Sequence, residues 1–171
     1  MISLSNITTI EECEVLEKLA NEIFPEVYKD ILSEATIAFL LKKSHSAAAA
    51  LALLSKNNYH LFLLNHNDVA IGYMGLEVMN DILIIDKLYI LQNKRGNKIG
   101  KFSMDYAYKM AAGLNINKIE LTVHRDNLNS INIYKHFGFK VIETLLHNLP
   151  IDKPLYGFKM QNNLNTFAFK T

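Results

Sequence analysis

The sequence predicts an α/β fold: one mixed, mostly antiparallel sheet of about seven strands, helices on both faces, and a parallel βαβ pair at its centre. Three observations predict it. From Ile82 to His124 the chain reads apolar strand, glycine turn, helical pattern, second apolar strand; such a βαβ unit has parallel strands and a right-handed crossover. Before it, two β-rich runs flank the turn-forming cluster Asn65-His66-Asn67-Asp68, and a hairpin is antiparallel. The N-terminal third carries its apolar residues at helical rather than alternating spacing.

Ile2–Leu4 is a short first strand. Thr9-Ile10-Glu11-Glu12 is a capping box, with the glutamate three residues after the threonine. Ile10, Cys13, Leu16, Ala20 and Ile23 follow at helical spacing. This helix is expected to end near Pro25, because a proline disfavours helical backbone in the residue before it. Ser33 to Lys43 and Ser46 to Ser55 read as two further helices, the second favoured by its alanines. Tyr59–Asn65 and Val69–Met79 form the hairpin, and Asn80-Asp81 turns the chain into the strand Ile82–Leu91. Lys98–Ala112 is a helix that Gly113 stops. Lys118–His124 is a buried strand, Ser130–Phe137 a helix stopped by Gly138, and Lys140–Thr144 and Leu155–Gln161 are closing strands.

Composition narrows the function. The 171 residues are enough for a real core and are read as one domain, 1–171. No apolar run reaches the ~18 residues of a membrane span. Met1–Asn6 lacks the basic and apolar regions of a signal peptide, so neither membrane association nor secretion is expected. The single cysteine, Cys13, has no partner for an internal disulfide, which fits a cytoplasmic protein. The formal charge of +1 lacks the basic excess of nucleic-acid binders. That charge is unevenly placed: residues 1–34 hold eight acids and two bases, net −6, and the rest carries +7. One part would welcome a cation and the other phosphate. The apolar second half is compatible with a homodimer.

The chemistry concentrates after Ile82. The turn Lys94-Arg95-Gly96-Asn97-Lys98-Ile99-Gly100-Lys101 opens a helix. The first N–H groups of a helix have no partner and its dipole favours an anion there. A pyrophosphate cradle is one reading; a plain strand-to-helix turn with solvated lysines is the other. The turn is neither a dinucleotide fingerprint nor a P-loop, because the glycine spacing and the Gly-Lys-Ser/Thr are missing. Downstream lies Asn127-Leu128-Asn129-Ser130-Ile131-Asn132-Ile133-Tyr134, then Gly138-Phe139.

Taken together, Leu88-Tyr89-Ile90, Arg95-Gly96-Asn97-Lys98-Ile99-Gly100, Asn127, Ser130, Tyr134 and Gly138-Phe139 resemble the GNAT superfamily of acetyl-CoA-dependent N-acetyltransferases. The family's glycine motif runs Gln/Arg-x-x-Gly-x-Gly/Ala, and its later segment Asn-x-x-Ala-x-x-x-Tyr…Gly-Phe. The resemblance is sharp over residues 82–139 and extends through the element order to nearly the whole chain. The N-terminal layout and the Ile85–Leu91 strand are most similar to bacterial polyamine-type or general small-amine members. Lys98 departs from the motif by replacing its first glycine, which removes room beside the phosphates. Ser130 replaces an alanine, a small-for-small change.

The resemblance implies a GNAT fold, acetyl-CoA as co-substrate, no metal, and a role for each matching residue. Leu88, Tyr89 and Ile90 would bond the pantetheine arm through their backbone and leave an N–H for the acetyl carbonyl. Arg95, Gly96, Asn97, Lys98, Ile99, Gly100 and Lys101 would hold the pyrophosphate, and Asn127 would bond the cofactor arm. Tyr134 would protonate the leaving thiolate; its alternative is a core tyrosine. The general base is open among Asp86, Glu77, Glu120, His124 and water. Asp86 is favoured, since Ile84, Asp86 and Leu88 are expected to share one strand face; a salt bridge with Lys87 is its structural alternative.

The expected reaction is acetyl transfer to a primary amine of a small molecule by direct attack in a ternary complex. A cationic amine is expected if the acidic first helices wall the acceptor site. A non-catalytic acyl-CoA sensor and a protein or peptide N-acetyltransferase are the alternatives.

Overall fold

A computed structural model describes residues 1–151 and 153–164. Seven strands form one sheet: β1 (Ile2–Asn6), β2 (Tyr59–His66), β3 (Val69–Met79), β4 (Ile82–Ile90), β5 (Lys118–His124), β6 (Lys140–His147) and β7 (Leu155–Asn163). Their spatial order is β1-β2-β3-β4-β5-β7-β6. Only β4 and β5 pair in parallel; the other neighbours are antiparallel. Five α-helices accompany them: α1 (Ile10–Tyr28), α2 (Glu34–Leu40), α3 (Ala47–Leu54), α4 (Ile99–Gly113) and α5 (Leu128–His136). The expected mixed sheet with a central βαβ pair is therefore the fold.

Strand alternation explains why helices cover both faces. Leu61 and Leu63 of β2 pack with Cys13, Leu16 and Ala20 of α1 and Ala50 of α3. Phe62, between them, joins Met104, Ala107 and Ala111 of α4 on the opposite face. Successive strand side chains point to opposite faces, so one strand supplies two cores.

The helical region departs from expectation in two places. First, α1 runs through Pro25 to Tyr28. Pro25 has no N–H to give to Asn21, yet the Lys29 N–H still bonds the Pro25 carbonyl at 2.9 Å. Burial of Ile23 and Phe24 and the Phe24–Tyr28 ring contact at 4.4 Å hold the helix together across the proline. Second, α2 passes into a π-helical turn, Leu41–His45, before α3 begins. Ser46 has extended backbone (ψ 158°) and caps α3. Glu34–Leu54 is apolar and long enough to cross a membrane by composition, but Ser46 interrupts it and Ala47 and Ala50 pack into the α1 cluster.

Two irregularities of β4 make the site. Ile85 pairs with Leu76 and Lys87 with Gly75, so Asp86 is an extra residue, a β-bulge. The bulge flips the alternation. Leu83, Ile85 and then Leu88 lie on the α4 side, whereas Tyr89 packs with α1 and α3. The expectation that Ile84, Asp86 and Leu88 share a face is thus corrected: the inserted residue moves Leu88 to the face of Ile85. In addition, β4 and β5 pair only from Ile82 to Ile85 and from Lys118 to Leu121. Beyond this the two strands diverge into a fork.

Gly72 sits at the fork's rim, opposite Ile90, and a Cβ there would lie 2.3 Å from the Tyr89 carbonyl oxygen. Gly72→Ala should destabilise the fold by ~1–3 kcal/mol through overpacking. Gly113→Ala, where a Cβ meets nothing within 4 Å, should change stability by less. Urea unfolding of both variants checks this; equal midpoints would show that β3 and β4 are not closely apposed at Gly72.

Candidate active site

The fork opens into a cavity of about 400 Å³. Its walls bring together Asp86, Leu88, Tyr89, Ile90, Arg95, Gly96, Gly100, Asn127 and Tyr134, most of the residues singled out from the sequence. Asn97, Lys98, Ile99 and Lys101 are not part of this lining. Ile99 is buried with Leu64 and Ile71. Lys101 pairs with Asp105 at 2.6 Å, and the Asn97 amide donates to the Lys94 carbonyl at 3.2 Å. Lys98 is the N-cap of α4 in left-handed backbone, φ +60°, a conformation that costs a non-glycine residue ~1–2 kcal/mol.

One end of the cavity is built for an anion. α1, α2, α3 and α5 are capped by the side chains of Thr9, Ser33, Ser46 and Asn127. The α4 N-terminus has no side-chain cap, so its first N–H groups remain for a ligand. A Cβ built on Gly96 or Gly100 would meet nothing within 4 Å; both line the cavity, and the space beside them is open. A pyrophosphate fits these features. Arg95 reaches across the mouth: its Nη2 lies 2.6 Å from Glu26 Oε2, and its Nε donates to the Ile90 carbonyl at 3.0 Å.

The middle of the cavity is a cluster of phenols. Tyr28 from α1, Tyr89 from β4 and Tyr134 from α5 all line it. The Tyr28 hydroxyl lies beside the side chains of Tyr89 and Asn127. Burial, and then Tyr28, push the Tyr134 hydroxyl well above the usual phenol range. Burial likewise raises Tyr28 and Tyr89. All three are therefore proton-bearing at neutral pH. Asn127 is buried, and its Oδ1 accepts from the Ser130 N–H at 3.2 Å; it caps α5 beside Tyr28.

Among the base candidates only Asp86 lines this cavity. Its side chain is 40% exposed there, and Lys87 Nζ lies 2.5 Å from its Oδ2. The Tyr59 hydroxyl donates to the same oxygen. Burial raises the Asp86 carboxyl, but the Lys87 charge and the two hydrogen bonds outweigh it, and the net shift is downward. Glu77 is paired with Lys56 at 3.3 Å, and Glu120 accepts from Gln161 at 2.6 Å. His124 lines a second cavity of about 180 Å³. Its Nδ1 accepts the Asp126 N–H at 3.2 Å, which puts the proton of the neutral ring on Nε2. This second cavity, walled by Phe24, Leu32, Leu40, His147 and Tyr156, shares Tyr28, Tyr89 and Thr122 with the first.

The acidic wall is not there. Glu12 closes the capping box, and Glu17 accepts the Ala47 N–H at 3.1 Å. Glu11, Glu14 and Glu22 are exposed. Of the eight acids, only Glu26 lines either of these two cavities, and Arg95 holds it. What the sequence reading missed is Tyr28, because it ended α1 at Pro25. The signal was the aromatic pair Phe24 and Tyr28, spaced i,i+4 across the proline.

Residues 14–139 match the family described as Acetyltransferase (GNAT) family. The chain belongs to this GNAT family. It is 28% identical over 140 residues to the spermidine N(1)-acetyltransferase of Thermoplasma acidophilum, covering 80% of this chain and 87% of that protein. Its fold is similar to that of the PaiA N-acetyltransferase of the same organism, solved with coenzyme A: TM-score 0.81, 23% identity, 95% of this chain and 99% of that one. It also resembles the ribosomal-protein-S18-alanine N-acetyltransferase of Escherichia coli, with TM-score 0.69 and 14% identity over 100% and 99% of the two chains. GNAT members that share this fold thus carry names for very different acceptors.

Behind Asp86 a buried imidazole records the electrostatics of the site. His45 Nδ1 lies 3.0 Å from the Tyr73 hydroxyl. Burial, and then Lys87, lower its pKa from 6.5 to about 3. Between these values the unfolded chain binds more protons than the folded one. Stability should therefore fall as pH drops from 6.5 toward 3, by up to ~1.4 kcal/mol per pH unit, and be fully present above 6.5. Asp86, a depressed acid, should add its loss only below its ordinary value of 3.8. Urea unfolding of wild type and His45→Gln between pH 4.5 and 7 is the measurement; the variant should show a shallower slope, and parallel slopes would place the titration elsewhere.

Proposed function

We propose that this acetyltransferase moves an acetyl group from acetyl-CoA to a primary amine of a small molecule, by direct attack while both are bound. The observation that carries this reading is the forked cavity itself: an uncapped helix N-terminus at one end, a protonated tyrosine on α5 in the middle and a second cavity beyond. The coenzyme A complex of the similar Thermoplasma fold and the spermidine activity in the relative's name support it. Acetyl-CoA supplies the activated thioester.

Each residue then has a task. The α4 N–H groups near Gly96 and Gly100, together with Arg95, bind the pyrophosphate. Past Ile85, β4 has lost its β5 partner, so backbone groups of Leu88, Tyr89 and Ile90 on that side are available to the pantetheine arm. One of the N–H groups would stabilise the oxyanion. Holding amine and thioester together in the fork supplies the proximity. Tyr134 gives its proton to the departing thiolate. Asp86, fixed as a carboxylate, takes the amine's proton directly or through water; its depressed pKa makes it a weak base and favours a water-assisted route.

The protein-acetylating alternative is less favoured, because the second cavity, about 180 Å³, is small for a polypeptide segment and is lined largely by apolar side chains. The sensor alternative leaves a phenol on the lining of the cofactor cavity without a task.

Two outcomes are expected. Tyr134→Phe should lower turnover ~10²–10⁴-fold, the range of general acid catalysis, while acetyl-CoA still raises the melting temperature as in wild type. Unchanged turnover would return Tyr134 to core packing, and no thermal shift in either protein would remove the acetyl-CoA reading altogether. Glu26→Gln should tighten coenzyme A binding ~2–5-fold by releasing Arg95, consistent with a partly exposed ion pair worth ~0.5–1 kcal/mol. Calorimetric titration decides this; weaker binding would mean that Glu26 positions Arg95 for the phosphate instead of competing with it.

A further inference from the structure

We infer that the second cavity holds the body of the acceptor and selects a primary monoamine on an uncharged apolar or aromatic body over a polyamine. This rests on the acetyl-transfer reading of the site and adds the substrate class.

The position comes first. Tyr28, Tyr89 and Thr122 form the shared wall between the two cavities. An amine nitrogen at that wall lies at the fork, and the rest of the molecule extends into the second cavity. The lining there is Phe24, Leu32, Leu40, Leu155 and the ring of Tyr156. Such a surface stabilises an apolar group by burial, ~25 cal/mol per Å², and offers an ammonium the hydroxyl oxygens of Thr122 and the tyrosines but no carboxylate.

The charges point the same way. The Arg125 guanidinium lies 4.1 Å from the centre of the Tyr156 ring. It already occupies one face that a second ammonium would use for a cation–π contact, and it places a like charge next to the lining rather than in it. Asp126, beside it, is shared between Arg125 at 3.7 Å and His124 at 3.8 Å. It is not part of the cavity lining. His124 presents an Nε2–H, a donor, because its Nδ1 accepts the Asp126 N–H. Among the described residues, no carboxylate lines this cavity. The two in the adjoining one, Glu26 and Asp86, are taken by Arg95 and Lys87. A polyamine would therefore hold its distal charge against this apolar lining without a counter-charge, which is disfavoured to the extent that the cavity desolvates it. One apolar group more or less in such a pocket is worth ~10–200-fold in kcat/KM.

The test is thiol release from acetyl-CoA by the full chain, with 2-phenylethylamine and with spermidine. The expected result is a kcat/KM at least ~10-fold higher for 2-phenylethylamine; an equal or higher value for spermidine overturns the inference. If neither amine is acetylated, equilibrium binding to the CoA-loaded protein decides. Binding of 2-phenylethylamine without spermidine upholds the cavity's selectivity and removes only the proposed reaction, whereas binding of neither overturns both. Arg125→Glu is the second arm. Arg125 is 48% exposed, so the variant should fold, as its melting temperature will show. It should shift the ratio of the two kcat/KM values toward spermidine by ~10-fold or more. An unchanged ratio would mean that Arg125 does not face the acceptor, and the charge argument would fall.

Discussion

The site depends on one extra residue in one strand. Without the bulge at Asp86, Leu88 would point to the face of α1 and Tyr89 to that of α4. With it, Asp86, Lys87 and Tyr89 all meet the α1 side, and Leu88 returns to the α4 core. The bulge also marks the place where β4 leaves β5, since their pairing ends at Ile85. A bulge increases local twist and ends regular pairing, so the same irregularity aims the side chains and opens the cleft. Gly75 shows how tightly this is built. A Cβ there would lie 2.5 Å from the Tyr59 hydroxyl, the group that reaches across β3 to Asp86.

Around the bulge the charges are closed in pairs. Lys87, 6% exposed, has Asp86; Arg95 has Glu26; His45 stays neutral beside Tyr73. A buried charge that lost its partner would be strongly destabilising, so Asp86 serves the fold as well as the proposed reaction. That double duty explains why it is a poor match for a base: the partner that keeps it buried is the one that depresses its pKa. On the proposed reading, the catalytic contribution of this site comes mainly from placing two substrates in one fork and from a phenol that stays protonated.

Most of this was legible in the sequence, for reasons that can be named. β-rich runs with turn residues between them gave the strands, and the glycine turn before a helical pattern gave the anion end. Tyr134 and Asn127 came from their spacing before Gly138-Phe139, a resemblance rather than a derivation. What failed were effects of tertiary packing. Pro25 reads as a stop locally, but buried neighbours on both sides carry the helix through it. A bulge leaves no mark in a run such as Ile82-Leu83-Ile84-Ile85-Asp86-Lys87-Leu88, because apolar residues on both faces conceal the change of alternation. The acids of α1 were counted correctly, but net charge does not say which way a helix faces. The buried Cys13, Leu16 and Ala20 turn that stripe inward, and the glutamates between them outward.

The two ends of the cleft are specified differently. The cofactor end uses backbone: free N–H groups of α4, the unpaired edge of β4 and two glycines with open space beside them. Backbone features survive large changes of sequence, which is why proteins only 14–23% identical share this fold. The acceptor end uses side chains from α1, α2, β5 and the start of β7, contributed by segments far apart in the chain. Each of these can change without disturbing the bulge or the fork. Acceptor choice is therefore the property that diverges first in this architecture. In this chain the side chains at that end include Phe24 and Tyr28, on either side of Pro25, together with His124 and the Tyr156 ring over which the Arg125 guanidinium lies.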